Sequence, residues 1–274
     1  MHIDSYFSIS NSDLKSADYV IFGIPYDATQ TFKPGSRFAP NAIRVASWNL
    51  ESYSTYFSFN LDRARVCDAG NVNCDGSFED IIKRTERFLK SFNSFPIAIG
   101  GEHTISYAVF KNFDACYIVF DAHLDLRDEF DGSKFNHACT IRRIFELGND
   151  VIIVGARSYT EEELSFAREN GIEIYNSWDI IDKGVNSIVK NLSRFDRIYI
   201  SLDMDVFDPA YAPGVSTPEP FGIHPLHFLK ILESIARNVI GFDLVEVIPD
   251  QNWITQMLAA KLIIEVIAAK EKNR

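Results

Sequence analysis

The sequence predicts an α/β protein, a three-layer α/β/α domain built on a mainly parallel central sheet. Three observations lead there. Strand-like and helix-like stretches alternate almost throughout the chain. The strand-like stretches are short apolar runs, as expected of strands covered by helices on both faces. Polar residues of ligating type stand where those runs end, and parallel sheets bind ligands outside the carboxyl ends of their strands. With no repeat, low-complexity tract or linker-like segment in view, residues 1–274 read as a single domain.

The elements follow in order. Residues 19–24, TyrValIlePheGlyIle, form a first strand. A turn-rich loop leads to a helix from about Pro40, since proline suits the first helical turn. Residues 77–92 form an amphipathic helix: Phe78, Ile81, Ile82, Phe88 and Leu89 share a face, and Ser77 with Asp80 resembles a capping box. Strands follow at 95–99 and 115–120, then a helix over about 138–147 and a strand at 151–154. Thr160 caps a helix that opens with Glu161, Glu162 and Glu163, favourable for the helix dipole, and Gly171 closes it. Strands at 172–175, 197–202 and 239–247 and a closing helix over about 254–270 complete the pattern.

Composition narrows the function. The formal charge of −11 argues against a nucleic-acid or anionic-membrane surface and suits a cationic ligand. The four cysteines, Cys67, Cys74, Cys116 and Cys139, form no CxxC pair. MHIDSYFSIS has neither a basic nor an apolar leader region, so a cytoplasmic protein with reduced thiols is expected. Lys261 and Glu265 interrupt the longest apolar segment, so no membrane helix is expected.

The ligating residues form a pattern. FDAHLDLR (120–127) places Asp121, His123 and Asp125 at alternate positions, hence on one face of an extended chain. The strand at 95–99 runs into Gly100, Gly101, Glu102 and His103. The strand at 197–202 runs into Asp203 and Asp205, and Glu246 stands near the end of 239–247. His103, Asp121, His123, Asp125, Asp203 and Asp205 are too many ligands for one first-row ion, but they fit two ions sharing carboxylates. Four carboxylates balance two divalent ions, and oxygen and imidazole donors without thiolate favour manganese over zinc or copper. A two-metal site can lower the pKa of a bridging water and present hydroxide. Other metal-dependent classes, such as phosphoesterases, stay open on these residues alone.

GGEHTIS (100–106), FDAHLDLR (120–127) and SLDMDVFDPAYAPG (201–214) resemble the three signature blocks of the ureohydrolase family, which includes arginase and agmatinase. GIPYDATQTFKPGSRFAPNAIR (23–44), NHACTIRR (136–143) and GFDLVEVIP (241–249) match in place and spacing, so the resemblance covers nearly the whole chain. It implies the arginase-like fold and two Mn2+ per subunit: one on His103, Asp121, Asp125 and Asp203, the other on Asp121, His123, Asp203 and Asp205. It further implies a metal-bridging hydroxide, with Glu246 binding the substrate guanidinium and His137 carrying a proton to the leaving amine. The reaction expected is hydrolysis of a small cationic guanidino compound, foremost agmatine to putrescine and urea in polyamine biosynthesis. Aminopropylagmatine, arginine or guanidinobutyrate are alternative substrates, and a non-catalytic metal-binding homologue is the rival. The loop RDEFDGSKFN (127–136), with Asp128, Glu129 and Asp131, suits an amine-tailed substrate. By the same resemblance the chain is expected to form a homo-oligomer, a trimer or hexamer, without nucleic-acid or membrane partners.

Overall fold

The computed structural model describes residues 5–274. In chain order the elements are β1 (Tyr19–Ile24), α1 (Ala39–Ser47), β2 (Tyr53–Ser54), β3 (Phe59–Asn60), β4 (Val66–Asn71), α2 (Phe78–Leu89), β5 (Phe95–Gly100), α3 (Ile105–Phe110), β6 (Cys116–Phe120), α4 (Thr140–Phe145) and β7 (Val151–Ala156). They continue as α5 (Glu161–Glu169), β8 (Glu173–Asn176), α6 (Ser177–Lys183), α7 (Asn186–Leu192), β9 (Ile198–Asp203), α8 (Pro225–Ile235), β10 (Val239–Val245) and α9 (Ile254–Lys272). Eight strands form one sheet in the order β4-β1-β5-β10-β9-β6-β7-β8, and every pair in it is parallel. The short β2 and β3 pair antiparallel beside it.

The layers follow from side-chain alternation along buried strands. On β6, Cys116, Ile118 and Phe120 join a core shared with α1, α6, α7, α8 and α9. Tyr117 and Val119 point the other way, into a core shared with α2, α3, α4 and α5. Sheet, first helical layer and second helical layer give the expected α/β/α sandwich.

Local signals explain most boundaries. Ser77 and Asp80 form the capping box of α2, and Thr160 and Glu163 form that of α5. Gly171 takes a φ of +69° just past α5, a conformation glycine adopts without strain. The helix expected over 138–147 is shorter: a 3-10 turn, His137–Cys139, precedes α4. β10 ends at Val245, not at 247, because Glu246 turns to a φ of +65° and leaves the ladder. The apolar C-terminal stretch is α9, a core helix in which Lys261 holds the buried Glu265 at 2.8 Å. Among the described residues no helix is long and apolar enough to cross a membrane.

β5, β10, β9 and β6 are consecutive neighbours at the centre of the sheet. Their carboxyl ends lead, in that order, to His103, Glu246, Asp203 with Asp205, and Asp121 with His123 and Asp125. Residues far apart in the chain thus meet along one edge.

Candidate metal centre and active site

Backbone geometry at the strand ends aims the candidate ligands. After β5, Gly101 N–H donates to Ile24 O at 3.0 Å and Glu102 N–H to Tyr26 O at 2.8 Å. A Cβ on Gly101 would lie 1.9 Å from Tyr26 O, so only glycine lets these strand ends meet. After β6, His123 N–H donates to Asp121 Oδ1 at 2.6 Å and Ala122 N–H to Asp205 Oδ1 at 3.1 Å. Asp125 takes a φ of +46°, strained for a non-glycine residue, and this turns its carboxylate inward. After β9, Asp205 N–H donates to Asp203 Oδ1 at 2.9 Å.

The six predicted residues converge. His103 Nδ1 lies 2.9 Å from Asp125 Oδ2, 3.0 Å from Asp121 Oδ2 and 3.6 Å from Asp203 Oδ2. His123 Nδ1 lies 3.0 Å from Asp205 Oδ2 and 3.5 Å from Asp121 Oδ1. Two groups have donor atoms close enough to hold a metal ion: His103, Asp121 and Asp203, and Asp121, His123 and Asp205. They share Asp121. Its Oδ2, though 3.0 Å from His103 Nδ1, is buried and accepts no well-aligned hydrogen bond.

The electrostatics are those of crowded carboxylates. Burial, with the neighbouring Asp121, pushes Asp125 up to about 7. Burial and the charges of Asp205 and Asp121 raise Asp203 well above the carboxylate range. Burial also opposes ionisation of Asp121, but the His103 and His123 imidazoles beside it hold it below its ordinary value. Both imidazoles are pushed upward by these carboxylates although burial works against their charge.

Over this cluster lies a cavity of about 340 Å³ lined by His103, His123, Asp125, Asp203, Asp205, Glu246 and His137, among others. Asp121 sits beneath its floor, 1% exposed. Glu246 is buried and accepts three hydrogen bonds: Oε1 from His103 N–H at 2.7 Å, and Oε2 from Gln30 Nε2 and Ser216 Oγ, each at 2.7 Å. Ser36 Oγ donates to Gln30 Oε1 at 3.1 Å, which leaves the amide nitrogen facing Glu246. Burial pulls His137 down to about 4, so its imidazole is neutral near pH 7. Its Nε2 lies 3.1 Å from Thr31 Oγ1 and its Nδ1 3.5 Å from Thr29 Oγ1. Glu102, pushed up to about 7 by burial against the hydrogen bonds of Thr104 and Thr29, lies behind that pair.

One expectation fails in detail. Asp128, Glu129 and Asp131 do not line the cavity. Asp128 is held by Arg143 at 2.8 Å, and all three are exposed. Glu163, which the helix-capping pattern had placed only at the start of α5, does line it, as does Arg127, 3.9 Å from Glu163. Thr29, Gln30, Thr31 and Ser216 also escaped sequence reasoning. They are common polar residues on loops, and only Gln30 and its neighbours in the DATQT stretch stood inside a quoted block.

A parallel sheet with a carboxylate- and imidazole-lined cavity at its carboxyl edge defines an α/β protein with side-chain groups able to hold metal ions. Comparison with known proteins agrees. The arginase family profile matches residues 17–269. The agmatinase of Pyrococcus horikoshii is 42% identical over 264 residues, 93% of each chain. The N(1)-aminopropylagmatine ureohydrolase of Thermococcus kodakarensis is 35% identical, over 94% of this chain and 92% of that one. The crystal structure of agmatine ureohydrolase of Thermoplasma volcanium superposes with a TM-score of 0.93 at 35% identity, covering 99% of this chain and 96% of that one. The chain belongs to the arginase family, and within it this is an agmatinase-like ureohydrolase, a hydrolase of linear amidines.

Proposed function

We propose that the protein hydrolyses agmatine to putrescine and urea with two Mn2+ per subunit. His103, Asp121, Asp125 and Asp203 would hold one ion. Asp121, His123, Asp203 and Asp205 would hold the other, so that Asp121 and Asp203 would serve both. The donor set fits. Three carboxylates face the single Nδ1 of His103, and one imidazole proton cannot satisfy them all. Asp121 Oδ2, buried and without a well-aligned hydrogen bond, fits the same role. Oxygen and imidazole donors without thiolate suit manganese. When bound, such a pair lowers the pKa of water and makes hydroxide available as the nucleophile near neutral pH.

The observation that carries this reading is the meeting of these ligands with Glu246 and His137 around one cavity. Glu246 is the partner for the guanidinium, a planar donor fork that matches a carboxylate. Gln30, Ser216 and the His103 amide fix its plane beforehand. Hydrolysis forms a C–O bond and breaks a C–N bond, and the departing amine nitrogen needs a proton. Neutral His137 is placed to accept one and pass it on. Glu163, rather than Asp128, Glu129 or Asp131, is the acidic residue beyond the metal-ligand cluster and Glu246 that lines the cavity, where its charge would favour an ammonium tail.

The Thermococcus kodakarensis relative supports a second reading, aminopropylagmatine, which also pairs a guanidinium with an amine tail. Urea release by the Mn2+-loaded protein decides between them, with agmatine, aminopropylagmatine, arginine and guanidinobutyrate offered side by side and His123→Ala as control. Release from agmatine, abolished in the control, is the expected result. Preference for aminopropylagmatine selects the second reading. Two bound Mn2+ with no release from any of the four refutes both and favours a non-catalytic metal-binding homologue.

A further inference from the structure

We propose that Thr29 and Glu102 are positioning residues that set the tautomer of His137, making Nε2 the nitrogen that exchanges protons with the cavity. This rests on the reading of His137 as proton carrier.

Glu102 is the first observation. It is fully buried, and among the described residues no ion pair reaches it. Its oxygens accept from Thr29 N–H at 2.8 Å, Thr29 Oγ1 at 2.5 Å and Thr104 Oγ1 at 2.5 Å. A buried carboxylate held only by neutral donors is costly, and it does not line the cavity, so it meets no substrate. What it does is orient hydroxyls.

Thr29 is the second. A hydroxyl has one proton and two lone pairs. With the carboxylate of Glu102 at 2.5 Å, the Thr29 proton is committed there. The other side of Oγ1 can then only accept. It receives His137 N–H at 3.2 Å and faces His137 Nδ1 at 3.5 Å. The Nδ1 it faces must therefore carry the hydrogen. Thr31 lines the cavity and Thr29 does not, so Nε2, 3.1 Å from Thr31 Oγ1, is the cavity-side nitrogen. Its lone pair accepts from the Thr31 hydroxyl, and when that hydroxyl turns away the same lone pair takes a proton and gives it to the departing amine. A carboxylate thus acts on an imidazole through a hydroxyl, the logic by which an orienting group fixes a catalytic histidine.

The test uses Thr29→Val, which removes the hydroxyl but keeps the backbone N–H to Glu102, with Thr29→Ala as a smaller replacement and Thr29→Ser as the conservative one. Nitrogen-15 NMR of histidine-labelled full-length protein reads the tautomer directly. Zn2+ replaces Mn2+ as a diamagnetic ion, and spectra are recorded at neutral and at alkaline pH. The expected result is a protonated Nδ1 in the parent and Thr29→Ser, and mixed tautomers in Thr29→Val and Thr29→Ala. In the Mn2+ enzyme, Thr29→Val is expected to lower kcat at least about tenfold, part of what general acid–base catalysis supplies. KM and Mn2+ affinity should stay within about twofold, and serine should restore most of the rate. An unchanged tautomer in Thr29→Val overturns the proposal. So does a loss of Mn2+ affinity in step with kcat, which would mean that the change acts through the neighbouring His103. If the parent hydrolyses none of the guanidino substrates, the functional reading fails while the NMR result still judges the Thr29–His137 arrangement.

Discussion

At the scale of single residues the site is a collection of groups held in costly states. Glu246 and Asp125 both take left-handed backbone conformations, φ +65° and +46°, which costs of order 1–3 kcal/mol each. Such strain persists where the surroundings over-determine it, and here both carboxylates face the cavity. Glu246→Gln should largely keep the fold, since its amide oxygen can still accept from Gln30 and Ser216 while its NH2 loses the bond from His103 N–H. It should lower kcat/KM by roughly a hundredfold or more, because a charged partner for the guanidinium is lost. Steady-state kinetics beside circular dichroism would check this, and near-parental kcat/KM would remove Glu246 from the binding role. His137 gives a pH prediction. Its pKa is depressed from 6.5 to about 4, so below pH 6.5 the unfolded chain binds a proton the folded one refuses. Its contribution is therefore favourable above pH 6.5 and is lost as pH falls toward 4. His137→Gln should show a shallower loss of stability between pH 7 and pH 5 than the parent in urea denaturation. An identical slope would contradict the depressed pKa.

At the scale of elements, the strand ends and helix caps decide where those residues sit. Most strands were legible because short apolar runs bounded by polar turns have few other readings, and α2 and α5 because Ser77, Asp80, Thr160 and Glu163 carry cap signals. β4 was not legible as a strand: its polar Asp68, Gly70 and Asn71 hide it, and they are explained only by the buried Arg44, which Asp68 holds at 2.7 Å. The early end of β10 was equally hidden, since nothing local in GFDLVEV announces a left-handed glutamate. Thr160→Ala should cost about 1 kcal/mol through loss of the α5 cap, measurable by chemical denaturation. Gly101→Ala should cost more, about 1–3 kcal/mol, because the Cβ meets the Tyr26 carbonyl at 1.9 Å. It should also weaken Mn2+ binding by shifting His103. Unaltered Mn2+ affinity in this variant would show that the β1–β5 contact does not position the ligand.

For the molecule as a whole, the cluster crowds buried carboxylates whose repulsion a bound cation would relieve. Mn2+ at about a hundredfold over its Kd should add about 3 kcal/mol per site and raise Tm, and EDTA should reverse the gain. Asp203→Asn should be more heat-stable than the parent in EDTA and gain less from Mn2+, because its burial beside Asp205 and Asp121 is unfavourable only while the charges are unbalanced. A calorimetric series with and without metal tests both signs. Residues 1–274 are expected to unfold as one unit and to associate as a trimer or hexamer; light scattering showing a 31.1 kDa monomer would refute the oligomer.

By itself the sequence determined the fold class, the metal-ligand candidates and the family, because period-two spacing after apolar strands and ordered blocks are properties of neighbouring residues. Only the tertiary structure decided which strands lie side by side. That order places β5, β10, β9 and β6 together, and so brings His103 to Asp125 and Gln30 to Glu246. It also lined the cavity with Glu163 and not with the acidic residues of the loop at 127–136, and put Thr29 and Glu102 behind His137. Those contacts join residues up to 216 positions apart, and a hydroxyl or carboxylate has no local mark that says which distant proton it will hold.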